Sequence, residues 1–390
     1  MPFVIVDGGG QLKFSYSADK KQPSSPASKP STVAMFKPFQ TSCVITGPLY
    51  RQIRFHSTTN QPKFGFALDI DGVLIKGNRV IPQAQRALRL LNGENASGKK
   101  IPFVLLTNGG GVTEEKKAAQ MSRKLDMDIL PSQVVLSHSP MRSLVKKYKD
   151  TPVLVVGGRE TSCKDVAEQY GFQRPIQPDD IHHWEKSVWP FRRVTDDEAY
   201  EAQKRYDFSR EPIEAIMMFH DSRDWGRDLQ IMMDVLRSKN GMIGTQKADY
   251  SVQDTPVYFS NPDFLWSNEF PVPRYGQGAF KTALEAIYKQ HTGKELKSTS
   301  FGKPHRATYQ YAEKILNSLL PNNTPLQRVF AVGDNPAADI AGANAYGWTS
   351  ILVRTGVFDG KGNSSEFPAK LVCDDIEEAV HWALKEEGLK

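Results

Sequence analysis

The sequence predicts an α/β fold with parallel sheet, and three observations carry that expectation. Short apolar runs alternate with amphipathic stretches from residue 64 onward, carboxylates follow directly on several of those runs, and no internal repeat is evident. At 390 residues the chain exceeds what one hydrophobic core usually serves, so two domains are expected. A composition of 39% hydrophobic and 24% charged residues is that of a globular protein. No apolar run approaches the roughly eighteen residues that a membrane-spanning helix needs.

Taken in order, residues 1–60 form a leader rich in Ser, Thr, Pro, Lys and Gln without sustained periodicity, and disorder is expected there. No acid occurs from Lys20 through Leu68. Within the acid-free stretch, "PLYRQIRFHSTT" puts Leu49 and Ile53 one helical turn apart with Arg51 and Arg54 off that stripe. Acid-poor, Ser-rich, Arg-bearing segments are typical of transit peptides, so 35–57 reads as a mitochondrial targeting segment that leads to the matrix. Met35 is then a start of the targeting sequence, and the mature chain begins near Ser57. A disordered cytosolic tail is the alternative, since Pro38 and Pro48 interrupt any long helix.

Folding starts at Phe64. "FGFAL", "IPFVLLT" and "TPVLVVGG" read as strands, each followed by a helical pattern ("PQAQRALRLLN", "TEEKKAAQMSRKL", "TSCKDVAEQYG"). The alternation resumes with "IEAIMMF", "RDLQIMMDVLRS", "TPVYFS" and "RVFAVG". The expected organisation is a first core portion over 64–139, an inserted α/β domain over 140–261, and a second core portion over 262–390. Residues 174–212, with "HHWEKSVWPFRR", fit the alternation poorly and read as an excursion from the inserted domain. Its aromatic residues could dock that excursion, or its arginines could meet an anion.

Charge and cysteine usage narrow the partners. Residues 1–60 hold seven Lys/Arg against two acids, whereas the remaining residues hold 43 against 42, so the folded body is neutral and no nucleic-acid groove is expected. Cys43, Cys163 and Cys373 are scattered and lack metal-ligand spacing, which predicts reduced thiols in an intracellular compartment.

In an open parallel sheet, ligands gather at the carboxyl ends of the strands. Four such ends stand out: "LDIDG" (Asp69, Asp71), "LLTNGGG" (Thr107, Asn108, Gly109), "FGKPH" (Lys303) and "VGDNPAAD" (Asp334, Asp339). Together they offer carboxylates for a hard cation, a hydroxyl and an ammonium for phosphoryl oxygens, and a nucleophile beside a second acid. Singly, each has an ordinary reading: Asp-Gly as turn chemistry, Thr107-Asn108 as a helix cap, Lys303 as a surface lysine. Four in order, each after an apolar run, argue for one phosphoryl-transfer site. Gly109–Gly111 either present amides to a phosphoryl group or simply make a turn. "SNPDF" (Asn261, Asp263) either faces that pocket or caps its own backbone, and Asp221 in "FHDSRDW" either touches substrate or caps a helix.

These motifs resemble those of the haloacid dehalogenase superfamily, with DxDG at Asp69–Gly72, the second-motif threonine at Thr107, the lysine at Lys303 and GDxxxxD over Gly333–Asp339. About 195 residues separate Thr107 from Lys303, as in class IIA (NagD-like) members, which carry an α/β cap there. "TNGGG", "FHDSRDW" and "GDNPAADIAGANAYGWTSILVRTGVF" resemble the cat eye syndrome critical region protein 5 family more narrowly. The resemblance implies a Rossmann-like core with an inserted cap, Mg²⁺, and hydrolysis of a small phosphorylated metabolite. It makes Asp69 the nucleophile and Asp71 the general acid and base; Thr107 and Lys303 hold the phosphoryl group, and Asn108, Gly109, Asn261 and Asp263 face the substrate. The metal falls to Asp69, the backbone carbonyl of Asp71 and Asp334, with Asp339 supporting from behind these ligands or through water. Two other readings use the same residues: a mitochondrial binding or assembly module with little turnover, and phosphotransfer to an alcohol.

Overall fold

The computed structural model describes residues 5–6, 12–13, 62–266, 270 and 272–389. The chain divides into two units, Met1–Thr58 and Thr59–Lys390. In the first, Ile5–Val6 pairs antiparallel with Leu12–Lys13. The expected targeting segment, 35–57, and Cys43 lie outside the described residues.

Two parallel sheets organise the second unit. Their strands, in chain order, are β1 (Phe64–Leu68), β2 (Phe103–Leu106), β3 (Val134–Val135), β4 (Val153–Val156), β5 (Pro175–Ile176), β6 (Ala215–Met218), β7 (Val257–Phe259), β8 (Ser298–Ser300), β9 (Arg328–Gly333), β10 (Thr349–Val353) and β11 (Leu371–Cys373). The first sheet runs β11-β10-β9-β1-β2-β3, and the second β8-β7-β6-β4-β5. The chain therefore leaves the first sheet after β3, builds the whole second sheet, and returns at β9.

β1 is apolar throughout because helices cover both faces of its sheet. Phe66 and Leu68 face one side, among Ala84, Leu88 and Leu91 of helix Pro82–Leu91 and Val380 of helix Ile376–Glu386. Ala67, one residue out of phase, faces the other side, toward Tyr309, Ala312 and Leu316 of helix Arg306–Ser318. Burying a side chain of the size of Phe66 or Leu68 stabilises by about 1.5–3 kcal/mol. The same alternation covers the second sheet, where Ile216 and Met218 meet Ile231 and Val235 while Ala215 and Met217 meet Val166 and Ala167.

The second sheet takes in β8, which pairs with β7. Helix Gln277–Thr292 also packs on this sheet, through Phe280, Leu284 and Tyr288. Both elements lie beyond residue 261. Nothing apolar announces β8, whose sequence is Ser-Thr-Ser. The excursion expected over 174–212 contributes β5 at the sheet edge and then the helices Pro178–Trp184 and Asp196–Arg205. It docks by its apolar residues, with Ile181 and Phe208 fully buried and the Trp184 ring edge-on to Phe208 at 5.4 Å. Arg192 is taken up by Asp179 at 2.9 Å.

Register then places the chemistry. Leu68 of β1 stands beside Val332 of β9 and Leu105 of β2. All neighbours being parallel, Asp69, Asp334 and Thr107 leave the same edge side by side. Among the described residues no helix is long and apolar enough to cross a membrane, and Cys163 and Cys373 are buried free thiols.

Candidate active site

Lys303 is the hub of the strand-end cluster. Its chain enters from β8, so the second sheet delivers the ammonium to the carboxylates of the first. Nζ lies 2.7 Å from Asp69 Oδ1 and 2.6 Å from Asp339 Oδ1, and donates to the Leu106 carbonyl at 2.9 Å. Burial by itself would lower the pKa of this ammonium, and the Asp339 and Asp69 carboxylates overcome it, so the group is held above its ordinary value. Lys303 is thus a fixed cation.

Asn108 fixes the lysine. Its Oδ1 accepts from Lys303 N at 2.7 Å while its Nδ2 donates to Lys303 O at 2.9 Å and to Asp263 Oδ1 at 3.0 Å. One amide thereby clamps both backbone groups of Lys303 and ties the end of β2 to the segment after β7. Burial pushes the Asp263 carboxyl up to about 6, against the Asn108 hydrogen bond and Lys303. Asn261 Oδ1 accepts from Asp263 N at 2.8 Å, forming the turn that holds Asp263 in place. Thr107 is buried, and its Oγ1 accepts from Gly109 N at 2.9 Å. The first cap on the following helix is Thr113, which accepts from Lys116 N at 3.2 Å, so neither Thr107 nor Asn108 has that task.

Asp334 sits in a cradle of missing side chains. A Cβ at Gly72, whose φ is 86°, would lie 2.2 Å from Asp334 Oδ2, and one at Gly356 would lie 1.8 Å away. Val357 N donates to the same oxygen at 2.6 Å. Asp339 accepts from Asn335 N at 3.0 Å through Oδ2, which leaves Oδ1 to Lys303. Asp71 is exposed, beside Gly109, and stands apart from the buried acids.

Asp69, Asp334 and Asp339 each place a carboxylate oxygen within 4.8 Å of the others. One ammonium serves three buried acids. Burial first, then the Asp339 charge, pushes Asp334 up to about 7. Burial likewise raises Asp69 well above the usual carboxylate range, with Asp339, Asp334 and Asp71 outdoing part of what Lys303 offsets. An all-oxygen donor set with an excess of negative charge fits a hard divalent cation such as Mg²⁺.

Comparison with known proteins identifies the family. Residues 66–173 match the family described as haloacid dehalogenase-like hydrolase, and residues 300–379 match a HAD-hydrolase-like family. A mitochondrial hydrolase of Saccharomyces cerevisiae is 38% identical over 85% of this chain and 98% of its own length. The chain belongs to the haloacid dehalogenase-like hydrolases. A cardiolipin synthase (CMP-forming) / mitochondrial hydrolase fusion protein of Schizosaccharomyces pombe is 43% identical over 86% of this chain, and this chain spans 56% of the fusion protein's length. In fold, this haloacid dehalogenase-like chain matches a hypothetical protein of Pyrococcus horikoshii at TM-score 0.56 and 22% identity, over 82% of this chain and 99% of that one. A 4-nitrophenylphosphatase of Thermotoga maritima matches at TM-score 0.53 and 18% identity, over 82% and 97%. The Rossmann-like core with class IIA architecture expected from the sequence is the fold observed.

Sequence reasoning did not find the Leu106 carbonyl, the Val357 amide or the Gly356 approach, because backbone groups leave no mark in residue types. Tyr309 was also missed. Its hydroxyl donates to the carbonyls of Ala338 and Asp339 at 3.3 and 3.1 Å, bracing the loop that carries Asp339. Nothing in its local sequence, "RATYQYAEK", marks it for that task.

Proposed function

We propose that the chain is a Mg²⁺-dependent phosphatase that hydrolyses a small phosphate monoester through an aspartyl-phosphate on Asp69. The observation that carries this reading is the buried Lys303 ammonium held between the Asp69 and Asp339 carboxylates, with Asp334 in the same cluster. Asp69, Asp334 and the Asp71 carbonyl would hold the ion, with Asp339 supporting; when bound, it neutralises charge on the carboxylates and the phosphoryl oxygens.

An Asp69 oxygen attacks phosphorus as the ester P–O bond breaks, and Asp71 gives its proton to the departing alcohol oxygen. Lys303 and the Thr107 hydroxyl, which the Gly109 amide orients by donating to its oxygen, hold the oxygens of the transferring group. Water then attacks phosphorus, yields a proton to Asp71, and releases phosphate and the free Asp69 carboxylate. The exposure of Asp71 suits a group that must meet both the alcohol and the water. The domain carrying the second sheet acts as a cap: β6, β7 and β8 bring their carboxyl ends toward those of the core, and Asn261, Asp263 and Asn108 line the seam.

The test is hydrolysis of p-nitrophenyl phosphate by purified protein with Mg²⁺. Asp69→Asn keeps the shape and removes the nucleophile, so kcat falls at least ~10³-fold. Near-normal Mg²⁺-dependent turnover by that variant would falsify the mechanism.

The names of the two yeast relatives support a mitochondrial location, and the acid-free, Arg-bearing sequence of 35–57 is what supports that segment as the targeting one. Cell fractionation of the tagged full chain and sequencing of its mature N-terminus check this; uncleaved protein recovered only from the cytosol would end the idea.

A further inference from the structure

Asp339 is held from three sides, and only two of the holds act on its carboxylate. Oδ1 meets Lys303 Nζ at 2.6 Å and Oδ2 accepts from Asn335 N at 3.0 Å. The third hold reaches the backbone from behind, where the Tyr309 hydroxyl donates to the Asp339 carbonyl at 3.1 Å and to that of Ala338 at 3.3 Å. Tyr309 is 1% exposed and stands in the first turn of helix Arg306–Ser318, just beyond Lys303. One short run of chain therefore puts an ammonium on one side of Asp339 and a phenol on the other. The backbone they grip is a wide turn, in which Ile340 N reaches back five residues to the Asn335 carbonyl at 3.4 Å. Such turns are rare and concentrate at functional sites.

Two glycines make room for this arrangement, and neither is there for its backbone conformation. A Cβ at Gly333 would lie 2.2 Å from Asp339 Cβ, so the acid lies flat against the end of β9. A Cβ at Gly342 would lie 2.3 Å from the Tyr309 hydroxyl oxygen, so the phenol fills the volume that a side chain on helix Ala341–Tyr346 would take. Neither glycine has φ in the left-handed region that favours the residue. Gly342 even works against its own helix, where alanine is the better residue. What its bareness admits is the phenol.

The seat of Asp339 decides how Lys303 is shared. One ammonium stands between Asp69 and Asp339, and these two acids with Asp334 bring carboxylate oxygens within 4.8 Å of one another. Were Asp339 to swing away, Lys303 would neutralise Asp69 alone and the cluster would lose one of its three charges. Both changes weaken the attraction for a divalent cation. We propose that Tyr309 is a positioning residue that sets the affinity of this site for a divalent cation by holding Asp339 against Lys303, with Gly342 as the gap it requires. The proposal rests on the phosphatase reading only in placing the cation at these carboxylates.

The probe is Mn²⁺ alone, titrated into the full chain without substrate and followed by loss of the free ion's electron paramagnetic resonance signal. Tyr309→Phe keeps the ring against Tyr346 and Trp348, whose centroids lie 5.7 and 5.2 Å away, and removes only the hydroxyl. It should raise the Kd about 10-fold, the lower end of what the loss of a group that orients a metal ligand costs. Tyr346→Phe is the control. It removes a hydroxyl of the same aromatic cluster, one that donates to Glu313 at 2.7 Å, and should leave the Kd within about twofold. In an Asp339→Asn background Tyr309→Phe should add less than about twofold, because the carboxylate through which it acts is gone. Gly342→Ala should also weaken Mn²⁺ binding, by crowding the phenol off the carbonyls, although alanine suits the helix better. If Tyr309→Phe does not fold, Gly342→Ala decides. An unchanged Kd in either variant when folded, an equal loss in Tyr346→Phe, or an undiminished loss on top of Asp339→Asn overturns the proposal. Mn²⁺ binding that weakens as expected in a protein that does not turn over p-nitrophenyl phosphate overturns the phosphatase reading and leaves the brace standing. No Mn²⁺ binding by the wild type at millimolar concentration overturns both.

Discussion

Asn108 shows how much one side chain decides at the residue scale. Its amide is the only kind of group that can both accept from Lys303 N and donate to Lys303 O, at 2.7 and 2.9 Å, while keeping a donor contact with Asp263. In Asn108→Ala those buried backbone groups lose their partners, which costs about 1–3 kcal/mol for each that stays unsatisfied. Lys303 is then aimed less well, and the expectation is a ~10–100-fold loss in kcat, the usual range for groups that orient a primary ligand. Steady-state kinetics on p-nitrophenyl phosphate, with the folded fraction followed by near-ultraviolet circular dichroism, check this. A folded Asn108→Ala protein within twofold of the wild type would show that the clamp does not position the lysine. The sequence offered Asn108 for the site because it follows Thr107 at a strand end. Its partner 195 positions away was not legible, since no local pattern specifies which backbone an amide will reach.

At the scale of elements, the loop after β2 illustrates a glycine run with unequal members. Gly109 gives its amide to Thr107, whereas Gly111 has φ 75° and a Cβ there would lie 2.4 Å from the His220 ring. Gly111→Ala should therefore destabilise the protein by about 1–3 kcal/mol, through left-handed backbone strain plus displacement of His220. Gly362, with nothing within 4 Å of its Cβ position, is the control, and Gly362→Ala should stay within about 0.5 kcal/mol. Chemical denaturation of the three proteins measures the difference; equal midpoints for wild type and Gly111→Ala would show that the loop yields freely. Most strands were legible because each is a continuous apolar run covered on both faces. β8 was not, for its Ser-Thr-Ser sequence gains its place by pairing with β7 and not by burial of its own side chains.

For the whole molecule, the acid cluster makes stability depend on pH and metal together. Burial pushes Asp334 up to about 7 and Asp263 up to about 6, so between pH 4 and those values the folded state holds protons that the unfolded chain has released. With more protons bound in the folded state, the contribution of these groups to stability falls as pH rises through that window. The buried imidazole of His138, pushed down to about 3, and that of His220, also lowered, act in the opposite sense below pH 6.5. The readout is therefore the difference between wild type and Asp334→Asn. Without metal, the melting temperature of the wild type should drop relative to the variant from pH 5.5 to 7.5. With Mg²⁺ at pH 7.5 the wild type should gain more than the variant, because binding to the folded state adds stability by mass action. A difference that is flat in pH and indifferent to Mg²⁺ would place the cation elsewhere. By itself the sequence determined the α/β class, the three adjacent strands β9, β1 and β2 of the first sheet, and the identity and order of the acids and the lysine. All of these follow from local periodicity and from the rule that parallel strands present their carboxyl ends on one edge. Only the tertiary structure decided that Lys303 arrives from the second sheet, that Asn108 clamps its backbone, and that Asp71 stands outside the buried acids. Those facts depend on which distant segments come within a few ångströms of one another, and long-range packing fixes that where no local pattern can.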